Sequence, residues 1–283
     1  MRALAIDARR LRRHLHWASR IESWPPAAWL ALQAAALWPS LHWAARRMAD
    51  GSDEPLGLVA LVLLALLLAS GRIACGREAR LPWLAAALGF TLAATATLPL
   101  LPPLAVALLS ALALGCAYAA FRAPGTPWLP VAGLLLLALP LLASLQFYAG
   151  WPLRVLTAEA TSWLLQWGGL DVARHGSTLR VEGREVLVDA PCSGVQLAWL
   201  GYAAACASAA WHGLRDARFA QRLPLAGLVV LCGNVLRNTA LVLVESGQWA
   251  APRGAHDAIG LAALAAVVAL VVLAMRGGRD ATD

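Results

Sequence analysis

The chain has 283 residues, of which 60% are apolar and only 14% charged, where a soluble protein carries roughly 25% charged residues. Its mean hydropathy of +0.64 excludes an ordinary soluble domain, and its five cysteines, without CxxC spacing or a Cys/His cluster, give no support for a zinc site. The net charge of +7 is carried entirely by arginine, placed mostly at the ends of apolar runs where membrane topology needs it, so nucleic-acid binding is not implied.

The first 26 residues are Arg-rich and lack an apolar stretch of their own; they read as a retained cytoplasmic N-terminus and not as a cleavable signal. Apolar runs approaching the ~20 residues that span a bilayer follow at 27–45, 56–70, 82–100, 104–121 and 128–148, and again at 194–211, 223–245 and 257–275. The pattern predicts an all-α polytopic membrane protein with about eight transmembrane helices, forming one integral membrane domain over 1–283. Its parts are an N-terminal helical block at 27–148, an outer segment at 149–193 and C-terminal helices at 194–275. With the N-terminus in the cytoplasm, the inner segments hold more arginines than the outer ones, which predicts N-in and C-in. Pro39 and His42 interrupt the first run.

In the outer segment, residues 153–168 place Leu156, Ala160, Trp163, Leu164 and Trp167 on one helical face. Tryptophan at this spacing suits a helix lying in the membrane interface, with a further span or a core helix as the alternative. Next, Leu179 and Val181, then Val186 and Val188, alternate with charged residues around Glu182-Gly183. That pattern predicts a small β-hairpin leading into DAPCSG at 189–194.

Three residues can carry chemistry. Cys192 follows Pro191, a residue suited to opening a helix, so Cys192, Ser193 and Gly194 are expected in the first turn of the run at 194–211. The positive helix end favours thiolate, and the first-turn N–H groups can hold an oxyanion. Cys75 falls in an inner loop, and Cys116, Cys206 and Cys232 within spans, so Cys192 has no expected disulfide partner. A lone cysteine is equally an inert apolar residue. Arg237, in Asn234-Val235-Leu236-Arg237-Asn238, lies fourteen residues into its span, roughly 21 Å from the inner end. An arginine there is a functional candidate by default. Asn234 and Asn238 are placed to fix its guanidinium; the alternatives are snorkelling to the interface or a pair with Glu245. His256 opens the last run beside Asp257, with His175 in the outer segment as a rival base. Cys192, Arg237 and His256 share one membrane depth, and Cys–His is a nucleophile–base pair.

These motifs in this order resemble the exosortase/archaeosortase family: CSG at Cys192-Ser193-Gly194, N-x-x-R at Asn234 to Arg237, and His256 with Gly260 four residues on. The resemblance covers about 145–275; Pro191 stands where many members have alanine. It implies a membrane cysteine peptidase or transpeptidase, a thiol-protease type of hydrolase, acting at the outer face of the cytoplasmic (inner) membrane. Implied partners are exported proteins with a C-terminal motif, a transmembrane helix and a basic tail, in a lipid setting. Implied roles are Cys192 as nucleophile, His256 as general acid/base and Arg237 as anion stabiliser, with Asn234 supporting Arg237. No cofactor, metal or nucleotide is implied. The competing expectation is a non-enzymatic transporter or assembly component of an envelope export system.

Overall fold

The computed structural model describes residues 24–276; the arginine-rich stretch 1–23, most of the expected cytoplasmic N-terminus, lies outside the described residues. The first expected span is two helices, α1 (Pro26–Ala36) and α2 (Trp38–Ala49). Pro39, at the start of α2, supplies no N–H to continue the ladder, and Leu37 leaves helical geometry at φ −95°, ψ 16°. Helices α3 (Leu56–Ala69), α4 (Leu81–Thr97) and α5 (Pro103–Phe121) follow, with α4 and α5 packed along each other.

The expected span 128–148 is not one helix. Helix α6 (Leu129–Leu137) ends before Pro140, and α7 (Leu142–Trp167) leaves at 94° to it. Proline removes a donor and disfavours helical geometry in the residue before it, which accounts for a turn at this point. Helix α7 thus absorbs the expected interfacial helix 153–168 and begins eleven residues earlier. Its exposed residues include Phe147, Tyr148, Trp151, Leu156, Trp163 and Trp167, aromatic types enriched at bilayer interfaces. It buries Thr157, Ala158, Thr161 and Leu165.

The segment after α7 then forms a three-stranded antiparallel sheet, β1 (Val172–His175), β2 (Thr178–Val181) and β3 (Arg184–Leu187). Strands β2 and β3 are the expected hairpin. Glu182 (φ 48°) and Gly183 (φ 81°) both take left-handed backbone, the geometry that a two-residue hairpin turn requires. Strand β1 is an addition, turned at Gly176-Ser177 and registered Val172 against Val181. Leu179, Val181, Val186 and Val188 face inward onto α7 and the chain after it, while Arg180 and Glu185 point out.

The chain ends in α8 (Val195–Trp211), α9 (Asp216–Glu245) and α10 (Ala255–Met275), close to the runs expected there. They pack on α3 and α6 around Leu134, Ala205, Ala209, Val230, Val267 and Val271. Gly233 lets α9 and α10 approach: a Cβ there would fall 2.2 Å from Val267 Cγ2. Asp216, opening α9, accepts hydrogen bonds from the Trp128 and Leu129 amides at 2.8 and 2.9 Å, which caps α6 and ties the starts of these two helices together.

Length separates the helices. Among the described residues, α5, α9 and α10 have the length and apolarity of a full crossing, and the bent α6–α7 pair makes a fourth if it counts as one. Helices α3, α4 and α8 have 14, 17 and 17 residues, or about 21–26 Å of rise, short of a bilayer core of about 30 Å. Helix length alone therefore does not reach the expected count of eight.

Candidate active site

One end of the helical bundle gathers the start of α8, the last turns of α9, the start of α10 and the small sheet. Residues 190–193 form a 3-10 turn closed by the Cys192 amide on the Asp189 carbonyl at 2.9 Å. Cys192 and Ser193 thus precede the helix and are not in its first turn. Gly194, at φ 83°, is the left-handed residue from which α8 departs. Its missing Cβ is doubly needed, because a Cβ there would stand 2.7 Å from Cγ and Nδ2 of Asn234. The CSG motif therefore reads structurally as a thiol, a hydroxyl and an obligatory gap. Ser193 Oγ donates to Gln146 Oε1 at 3.0 Å and accepts from the Val195 amide at 3.4 Å, so one of the first-turn N–H groups expected to be open is already engaged.

Two asparagines of α9 hold the Cys192 backbone. Asn234 Nδ2 donates to the Cys192 carbonyl at 3.2 Å and to Thr157 Oγ1 of α7 at 3.1 Å. Asn238 Nδ2 donates to the same carbonyl at 3.2 Å and to the Asn234 carbonyl at 2.8 Å. Both are 2% exposed. The Asn234 Nδ2 group is committed to Cys192 and Thr157, while its Oδ1, the atom that could receive a guanidinium, is buried with no hydrogen-bond partner among the described residues. The i, i+4 spacing of Asn234 and Asn238 puts both on one helix face, and that spacing was the available signal.

Cys192 is 9% exposed and belongs to the apolar cluster of the sheet, with Val186, Val188, Leu241 and Val242. Burial pushes its thiol above the ordinary range. The Arg237 guanidinium pulls it back down, the Glu245 and Asp189 carboxylates push it up, and a hydrogen bond from the Asp189 backbone to the sulfur favours the thiolate. Desolvation is the largest of these effects and holds the thiol above the ordinary cysteine range, so the site calls for a base. All five cysteines are free thiols.

Arg237, on α9, passes Gly260 of α10, where a Cβ would lie 3.7 Å from Arg237 Nε. A side chain there would meet the arginine at ordinary contact distance, so Arg237 does not require this glycine. A cleft of about 460 Å³ runs along α8 and α10, with Arg237, His256, Gly260 and Gln196 in its wall. His256 Nδ1 lies 3.4 Å from Glu245 Oε1, so Glu245 is the carboxylate that faces the imidazole, and not the adjacent Asp257. Sequence reading considered Glu245 only as a partner for Arg237. Among the described residues no hydrogen bond joins Cys192 to His256; Arg237 and Glu245 are close enough to the thiol to shift it. Neither Cys192 nor His175, which sits at the exposed end of β1, is in the wall of that cleft.

Chemically, the arrangement offers a neutral thiol on a fixed backbone, a cation beside it and an imidazole oriented by a carboxylate. That is the equipment of nucleophile, anion stabiliser and base. Fold and composition define the molecule as a membrane protein built of apolar helices, with these groups at one end of the bundle. A family model described as transmembrane exosortase matches residues 77–273, well over half of the chain and all of the residues just described, and the chain belongs to that family. No curated protein and no solved structure matches it.

Proposed function

We propose that this chain is a membrane cysteine peptidase or transpeptidase that cleaves the C-terminal sorting signals of exported proteins at the outer face of the cytoplasmic membrane. The observation that carries the reading is the double asparagine clamp on Cys192. Two buried amides from the helix that bears Arg237 fix the Cys192 backbone, which holds its thiol near the guanidinium.

In the proposed reaction, His256 takes the thiol proton as Cys192 Sγ attacks the scissile carbonyl. Arg237 stabilises the resulting oxyanion. His256, held by Glu245, then protonates the leaving amine, which departs with the C-terminal tail. A thioester remains on Cys192, and water or an acceptor amine resolves it. Loss of one such oxyanion partner typically costs on the order of 10²–10³ in rate, which is the loss expected for Arg237→Ala. The proposed topology is N-in and C-in with about eight crossings, the shorter helices spanning with the help of the loops that flank them. The exposed aromatic residues of α7 then lie along the outer interface, beside the incoming tail.

The test is processing of a tailed exported protein in cells that carry Cys192→Ala, Arg237→Ala or His256→Ala, with membrane levels of each variant checked by immunoblot. Each is expected to leave the substrate uncleaved or nearly so. Unchanged cleavage by Cys192→Ala would return the chain to the alternative, a non-enzymatic transporter or export-assembly component.

A further inference from the structure

Next to the cleft lies a second cavity, of about 660 Å³, formed by the loop between α2 and α3, the first turn of α7, and the residues around the start of α8. Gln196 borders both spaces, and Ser193, the neighbour of Cys192, is in the wall of this one. The charged residues in its lining are Asp53 and Glu54, with no arginine or histidine among them. Arg47, which reaches this loop, donates to the Ser52 carbonyl at 3.2 Å and is not in the lining.

Asp53 is 6% exposed. Its Oδ1 accepts from the Glu54 amide at 2.9 Å and from the Ala143 amide at 3.1 Å, which caps the start of α7. Its Oδ2 is buried and has no hydrogen-bond partner among the described residues. A cap needs one oxygen. A second carboxylate oxygen withdrawn from water and left unpaired is costly unless something completes it. Glu54 stands beside it, exposed, accepting from Gln196 Nε2 at 2.7 Å. A calcium or magnesium ion wants six or more oxygens, and no group of three metal-ligating side chains occurs among the described residues. A monovalent organic cation with N–H donors fits better: it needs few acceptors, and the cavity has room for its carbon chain.

We propose that this cavity is a subsite for a lysine or arginine side chain of the bound peptide, its ammonium or guanidinium paired with the exposed Glu54 and attracted by the unpaired carboxylate oxygen of Asp53 behind it. Carboxylates stabilise the protonated amine, so the bound group is a recognition element and not an attacking nucleophile. Cation binding stands by itself; its assignment to a peptide side chain rests on the peptidase reading above. The shared wall at Gln196 lets one peptide lie in the cleft and drop a basic side chain into the cavity.

The test uses the full chain in phosphatidylcholine nanodiscs, titrated with n-propylammonium and n-propylguanidinium and followed by saturation-transfer NMR, with 1-propanol as the uncharged control. Wild type is expected to bind both cations saturably. Asp53→Asn keeps the Oδ1 acceptor for both amides and is expected to weaken binding at least tenfold. Glu54→Lys, which supplies its own ammonium to Asp53, is expected to abolish it; this second variant reads the site even if Asp53→Asn folds poorly. Cys192→Ala should bind the probes like wild type, so failure of the peptidase reading and failure of the subsite give different results. Equal binding by wild type and both Asp53 and Glu54 variants overturns the subsite. Loss of probe binding on adding phosphatidylethanolamine to the nanodisc would give the cavity to a lipid headgroup and overturn the peptide assignment.

Discussion

Replacing Gly194 by alanine should disable the site while leaving the helices in place. A non-glycine residue in left-handed backbone costs roughly 1–2 kcal/mol, and Gly194 sits at φ 83°. The new Cβ would also lie 2.7 Å from Asn234 Cγ and Nδ2. Asn234 is 2% exposed, so it can yield only by releasing Thr157 and the Cys192 carbonyl. Two hydrogen bonds at about 1 kcal/mol each bring the total to about 3–4 kcal/mol. At about 1.4 kcal/mol per factor of ten, the competent turn is depleted by on the order of 10²–10³. The assay is the cleavage rate of a tailed reporter by purified protein in nanodiscs, beside its thermal unfolding midpoint. A double-mutant cycle sharpens it. Asn234→Ala loses the same two hydrogen bonds and removes the obstruction. The pair Gly194→Ala/Asn234→Ala should therefore be about as impaired as Gly194→Ala alone, short of additivity by about 2 kcal/mol. Additive losses would refute the clamp as the reason for the glycine.

Charge at the site gives opposite signs in one measurement. The Glu245 carboxylate raises the Cys192 thiol and Arg237 lowers it. Glu245→Gln should therefore shift the pH midpoint of Cys192 alkylation down and Arg237→Ala should shift it up, as followed by mass spectrometry. Glu245→Gln should also slow cleavage despite its more acidic thiol, because His256 loses the carboxylate 3.4 Å from Nδ1; faster alkylation with unchanged cleavage would remove Glu245 from the acid/base arrangement. Away from the site, Asp216→Ala frees the Trp128 and Leu129 amides and is expected to cost about 0.5–2 kcal/mol in unfolding experiments, with little change in alkylation of Cys192.

What could be read in advance followed the strength of local pattern. The hairpin was legible because Leu179, Val181, Val186 and Val188 alternate with charges and Glu182-Gly183 can turn. Helices α8 to α10 were legible from their apolar runs. The 94° turn before α7 was not, although Pro140 marked it, because hydropathy is blind to direction. Strand β1 is short and mostly exposed, so it carried almost no burial signal beyond the Gly176-Ser177 turn. At the site, the residue types and their gathering at one end of the helices α8 to α10 were readable. The partners were not, because Asn234 reaches across to a carbonyl, and a backbone acceptor leaves no mark in a sequence. Glu245 meets His256 only because the loop at 246–254 folds α10 back along α9.

The asparagine clamp also divides the site into a rigid part and an adjustable one. Helix α9 carries Asn234, Arg237 and Asn238 within five residues, so the helical repeat itself spaces the guanidinium from the clamped thiol backbone. Any tilt of α9 carries both together and leaves their separation unchanged. His256 is tied to that helix only at its last residue: it arrives on α10, through a loop, with its side chain 53% exposed and its partner Glu245, at the end of α9, 44% exposed. Distortion from substrate or bilayer thickness therefore falls on the proton-transfer distance and spares the pairing of sulfur and cation. Relatives with longer or shorter connections between these two helices should differ in the pH dependence of turnover more than in the reactivity of the thiol.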